Sequence, residues 1–92
     1  MPKPLELPKG QSVLVEVDLR YAGRGSRLDP FLIHYKNERY RILRVTRRQK
    51  KIIHEREHMV YHIKIERQRE AYDLIQDLKT SMWSLRQAIN PR

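Results

Sequence analysis

The chain has 92 residues, no cysteine and a formal net charge of +9, with 20 Lys and Arg against 11 Asp and Glu. That length holds one domain with a small core, and the missing cysteines exclude disulfides, thiolate metal ligands and a Cys nucleophile. No apolar run reaches the length of a membrane span and the Pro-rich start lacks an apolar signal core, so a cytoplasmic protein with no membrane partner is expected.

Residues 1–11 carry Pro2, Pro4, Pro8 and Gly10, a composition that resists helix and sheet alike and reads as a disordered arm. A single small β domain is expected over residues 12–89. Its clearest strand is 12–19, where Val13, Val15, Val17 and Leu19 alternate with Leu14, Glu16 and Asp18. Residues 20–30 contain Gly23, Gly25, Ser26, Asp29 and Pro30 and read as a loop of about ten residues. Phe31, Ile33 and Tyr35 then alternate again, and a tight turn at Asn37-Glu38 leads into 39–45, making a hairpin. Tyr40 and Ile42 share a face but Val45 falls out of phase, which a bulge near Leu43 would correct.

A further strand is read from Met59, Tyr61, Ile63 and Ile65, and two shorter ones at 71–76 and 82–86 joined by a turn around Lys79-Thr80-Ser81. The rival is a mostly helical chain. No Gly or Pro occurs between Phe31 and Asn90, and Ala71, Leu74, Ile75, Leu78, Met82, Leu85 and Ile89 also fit helical spacing. The β-branched and aromatic content favours all-β, as a small antiparallel sheet or a half-open SH3-like barrel.

The order Pro30-Phe31, Arg39-Tyr40-Arg41-Ile42 with Val45, Tyr61 and Ile63, Tyr72-Asp73-Leu74, Asp77 and Trp83-Ser84-Leu85 resembles a small all-β family of bacterial domains. That family occurs free-standing and beside proteins related to Y-family translesion DNA polymerases. The resemblance covers residues 30–86, about two thirds of the chain. It departs from the family pattern in having Asn37-Glu38 where a Gly-Arg hairpin turn would stand, and one Trp instead of several. It implies a β fold and a DNA-repair setting, and transfers no catalytic residue.

Enzyme signatures are weak. His54-Glu55-Arg56-Glu57-His58 matches the H-E-x-x-H zinc pattern, which needs a helix to bring both imidazoles to one metal. On a strand, His54 and His58 would stand about 13 Å apart, too far to share a zinc ion. A zinc hydrolase is therefore the remote reading, and incidental His and Glu in a charged segment the better one. No serine lies in a G-x-S-x-G elbow, and Gly23-Arg24-Gly25-Ser26 lacks the spacing of a P-loop. No cofactor is expected.

Charge carries the functional expectation. Residues 36–69 hold twelve Lys and Arg against four Glu, so +8 of the net charge sits there. Such a block attracts a polyanion. Arg44, Arg47, Arg48, Lys50 and Lys51 form its densest part, flanked by Arg39, Arg41, Arg56 and Lys64. Weakly specific nucleic-acid binding through phosphate contacts is expected of Arg41, Arg44, Arg47, Arg48, Lys50 and Lys51, with Tyr35 as an exposed aromatic able to stack on a base. Tyr40, Tyr61 and Trp83 fall on apolar faces and are expected in the core. The alternative is a protein-interaction adaptor, in which the basic face meets an acidic partner.

Overall fold

A computed structural model of the chain describes residues 4–21 and 27–88. Six antiparallel strands run in chain order: β1 (Val13–Tyr21), β2 (Leu28–Tyr35), β3 (Glu38–Ile53), β4 (Arg56–Ile65), β5 (Ala71–Asp77) and β6 (Trp83–Gln87). Each pairs with its sequence neighbour, and β6 returns to β1, with Val13 opposite Leu85 and Val15 opposite Trp83. The all-β fold is as expected, and the small sheet or half-open barrel of the sequence reading closes completely. Among the described residues there is no helix.

The strands follow the expected alternation. Val15, Ile33, Tyr40, Ile42, Tyr61, Ile63, Ile65, Tyr72, Leu74, Trp83 and Leu85 are buried in one cluster. Directly paired residues point to the same side of a sheet, so Val13, Leu85, Leu74 and Tyr61 form one inward rung across four strands. The Tyr61 and Trp83 rings pack with centroids 5.6 Å apart. Each fully buried Leu or Ile of this cluster contributes about 1.5 to 3 kcal/mol through burial.

Two hairpins close on two-residue turns. Lys36 and Asn37 have φ of 50° and 63°, and His54 and Glu55 have 50° and 65°, the left-handed pair of a type I′ turn. The first turn therefore lies one residue earlier than Asn37-Glu38. The second places His54 and Glu55 at a turn and His58 in β4, so the helical face that the H-E-x-x-H pattern needs does not exist. The β5–β6 turn is braced by Asp77, whose carboxylate accepts from the amides of Lys79 at 2.9 Å and Thr80 at 3.3 Å.

Three boundaries differ from the sequence reading. First, β1 continues to Tyr21 and β2 begins at Leu28, so the connection is shorter than ten residues; Gly23 to Ser26 lie outside the described residues. Second, β3 runs on through Thr46 to Ile53, making the basic cluster part of a 16-residue strand. Third, the expected disordered arm touches the barrel at Leu5 and Leu7. Leu5 is 7% exposed, its amide donates to the Gln68 side chain at 3.3 Å, and Leu7 packs against the core. Apolar contact at Leu5 and Leu7 offsets the ordering cost that the prolines around them already reduce.

Candidate nucleic-acid interface

Strand β3 positions the basic cluster. It carries Arg39, Arg41, Arg44, Arg47, Arg48, Lys50 and Lys51, with Glu38 as its sole acid. Simple alternation would put positions 44, 48 and 50 on one face and 47 and 51 on the other. The register against β4 shifts twice, between Ile42 and Arg44 and between Val45 and Arg47. These two bulges change the partition. Val45, opposite Ile63, points inward, while Arg44, opposite Lys64, and Arg47, opposite His62, both point outward. Thr46 fixes the second bulge by donating its hydroxyl to the His62 carbonyl at 3.1 Å.

The outward face of β3 therefore shows Arg44, Arg47, Gln49 and Lys51 beside Lys64, His62, Val60 and His58 of β4. Lys50 lies on the opposite face, beside Met59, and is exposed. Arg41, exposed, stands opposite Leu32 on β2. Among the described residues, the ion pairs engage Arg27, Arg48, Arg56, Arg86 and three histidines; none engages Arg41, Arg44, Arg47, Lys50 or Lys51. Those five cations meet no carboxylate; Arg47 lies within reach of the Gln49 side-chain amide oxygen, and the other four keep their donors for phosphate oxygens.

Arg48 behaves differently from its neighbours. It extends the inward rung of Val13, Leu85, Leu74 and Tyr61, so its head group arrives at the barrel's edge where bulk water is limited. Its guanidinium donates to Asp29 Oδ1 at 2.7 Å, and Arg27 joins the same oxygen at 3.5 Å. The Arg48 Nε is buried without a partner. Expected as one of several free phosphate-gripping cations, Arg48 is tied to a carboxylate because the pairing of β3 with β4 turns it inward.

Tyr35 is half-buried and packs against the core, with the Lys36 ammonium 5.4 Å from its ring centroid. It is less exposed than a base-stacking role assumes. The aromatics expected in the core are there: Tyr40, Tyr61 and Trp83 are buried, as is Tyr72, and burial pushes the phenols of Tyr40, Tyr61 and Tyr72 above the usual tyrosine range.

A cleft opens beside the cluster. Strand β2 pairs with β3 only over residues 32–35 and 38–41. Beyond them the two strands part, leaving a concavity of about 550 Å³. Arg20, Tyr21, Arg27, Asp29 and Phe31 line one wall, and Arg44, Val45 and Arg48 the other. The Arg20 guanidinium sits 5.3 Å over the Phe31 ring. Sequence reading named Arg44 and Arg48 but missed Arg20, Tyr21, Asp29 and Phe31 as members of any site.

Two strands along the same wall, the charges neutralise one another. On the outer face of β5, Asp73 is 5% exposed, 2.7 Å from His62 Nδ1 and 3.4 Å from Arg86 Nε. Asp77 pairs with Arg56 at 2.6 Å and lies 3.8 Å from His58. Desolvation opposes ionisation of Asp77, but the amides of Lys79 and Thr80 and the Arg56 guanidinium outweigh it and hold its carboxyl below the usual carboxylate range.

Fold and site together define a small closed β-barrel whose wall carries an unneutralised cationic strand next to an arginine-lined cleft. No protein-family model, curated protein or solved structure matches this chain.

Proposed function

We propose that this protein is a non-catalytic module that binds nucleic acid through its phosphate backbone with little sequence preference. The observation that carries this reading is the set Arg41, Arg44, Arg47, Lys50 and Lys51: five cations on one strand, exposed and engaged by no carboxylate among the described residues. Cations so placed release condensed counterions when phosphates replace them, which makes affinity strongly salt-dependent. Their side chains are long and flexible, so they follow a backbone without reading base edges.

The resemblance read in residues 30–86, which no family model supports, makes DNA repair a setting we propose to examine. Titration of labelled single- and double-stranded DNA tests the reading. With about five or six phosphate contacts, affinity falls on the order of a thousandfold between 50 and 200 mM salt. Absence of binding to either form at 50 mM salt would sink the proposal. In that event, capture of an acidic protein partner that survives nuclease treatment would point to the adaptor role instead.

A further inference from the structure

The cleft where β2 and β3 part has a composition unlike the rest of the surface. Among the described residues, Arg20, Arg27, Arg44 and Arg48 line it, with Asp29 as the one acidic residue. Its volume of about 550 Å³ falls within the range of pockets that hold one small ligand. Asp29, whose side chain is 18% exposed, anchors Arg27 and Arg48 through one oxygen and leaves most of their donors unused. The Arg48 Nε is buried and unpartnered, which costs free energy unless an acceptor enters.

Two flat groups also border the cleft. Tyr21 is 68% exposed although it is large and aromatic. The Arg20 guanidinium, held over the Phe31 ring, offers a second plane on which a base can stack. Solvent-exposed aromatic and guanidinium planes beside phosphate-binding cations are the combination that holds an unpaired nucleotide, because every base has a face to stack whatever its hydrogen-bonding edge. A duplex keeps its base faces covered by their neighbours and can use only the charges.

We infer that this cleft seats one unpaired nucleotide of single-stranded nucleic acid, the phosphate on Arg27, Arg44 and Arg48 and the base against Tyr21 and Arg20. This inference rests on the nucleic-acid reading above and adds to it a preference for single strands. The strand continues from the cleft along β3, where Arg44 belongs to both the cleft wall and the outward row.

The test compares the protein with its Tyr21→Ala and Tyr21→Phe variants. The probes are a labelled oligothymidylate of about twelve nucleotides, within the site sizes that small barrels cover, and a duplex of the same length. Tyr21 is exposed, so its truncation leaves the fold intact, and thermal melts check this. The expected result is tighter binding of the single strand than of the duplex, a loss of roughly tenfold for the single strand with Tyr21→Ala, no change for the duplex, and recovery with Tyr21→Phe. Equal binding of the two probes, or a Tyr21→Ala effect that is absent or the same for both, overturns the cleft inference while leaving charge-driven binding in place. Failure of both probes to bind at 50 mM salt overturns both readings.

Discussion

Two regions of this barrel's outer wall put the same kinds of side chain to opposite uses. Along one outward rung, Arg86, Asp73, His62 and Arg47 stand on β6, β5, β4 and β3 in turn. On β5 the carboxylate is buried between cations of both neighbouring strands, His62 2.7 Å from Oδ1 and Arg86 3.4 Å from Oδ2, although Oδ1 makes no well-aligned hydrogen bond. Two strands away, Arg47 has no acid to meet. The β5 side spends its charges on one another and gains a rigid wall, whereas the β3 side leaves them to solvent. A buried carboxylate needs partners to offset its desolvation, so its cations are structural. An exposed arginine row needs none, and remains available to a phosphate chain.

The largest effect that separates the two regions comes from removing the unpaired cations of β3. Replacing Arg44, Arg47, Lys50 and Lys51 together by Ala reduces the slope of log affinity against log salt by about 3 to 4 and weakens DNA binding at 50 mM salt by on the order of a hundredfold or more. Arg86→Ala, which removes a neutralised cation, leaves affinity within about twofold. Fluorescence anisotropy with one DNA probe measures both. Equal losses from the two variants would erase the distinction between the regions.

Next in size is Asp73→Ala, which leaves His62 and Arg86 without their shared acceptor. Urea unfolding is expected to show a loss of about 1 to 3 kcal/mol, with DNA affinity unchanged or slightly raised by the added positive charge. A stability loss near zero would mean that the pairs in this region contribute no more than ordinary surface ion pairs.

The smallest effect is a pH dependence. The native Asp77 carboxyl titrates below its unfolded value, so its contribution to stability is present above the normal carboxylate range and is lost as pH falls through the native value. Thermal melts of the wild type should therefore drop more steeply on acidification than those of Asp77→Asn, which starts lower at neutral pH. Parallel curves would remove Asp77 as a source of acid sensitivity.

Much of the barrel was legible because its inward residues alternate. Val13, Val15 and Val17, and again Met59, Tyr61, Ile63 and Ile65, announce strands by a period of two, and the out-of-phase Val45 announced the bulge beside Leu43. The end of β3 was not legible. Residues 46–53 present Arg and Lys to both faces, since beyond the rung of Arg48 the inward side of the ribbon is open to solvent and needs no apolar residue. The second bulge, at Thr46, has no glycine to mark it. Nor could the tie between Arg48 and Asp29 be foreseen, because it joins residues 19 apart across the gap between β2 and β3. The same gap makes the cleft, and its members are scattered over three strands with no motif of their own. Leu5 and Leu7 were masked by the prolines around them, which argue against a strand but not against packing.

The most direct test of the contrast between the regions is an NMR titration of isotope-labelled protein with a short DNA strand at low salt. The account predicts amide shift changes concentrated at Arg44, Arg47, Lys50 and Lys51, with Asp73 to Asp77 nearly still. Changes centred on β5 and β6, or none at any DNA concentration, would contradict it.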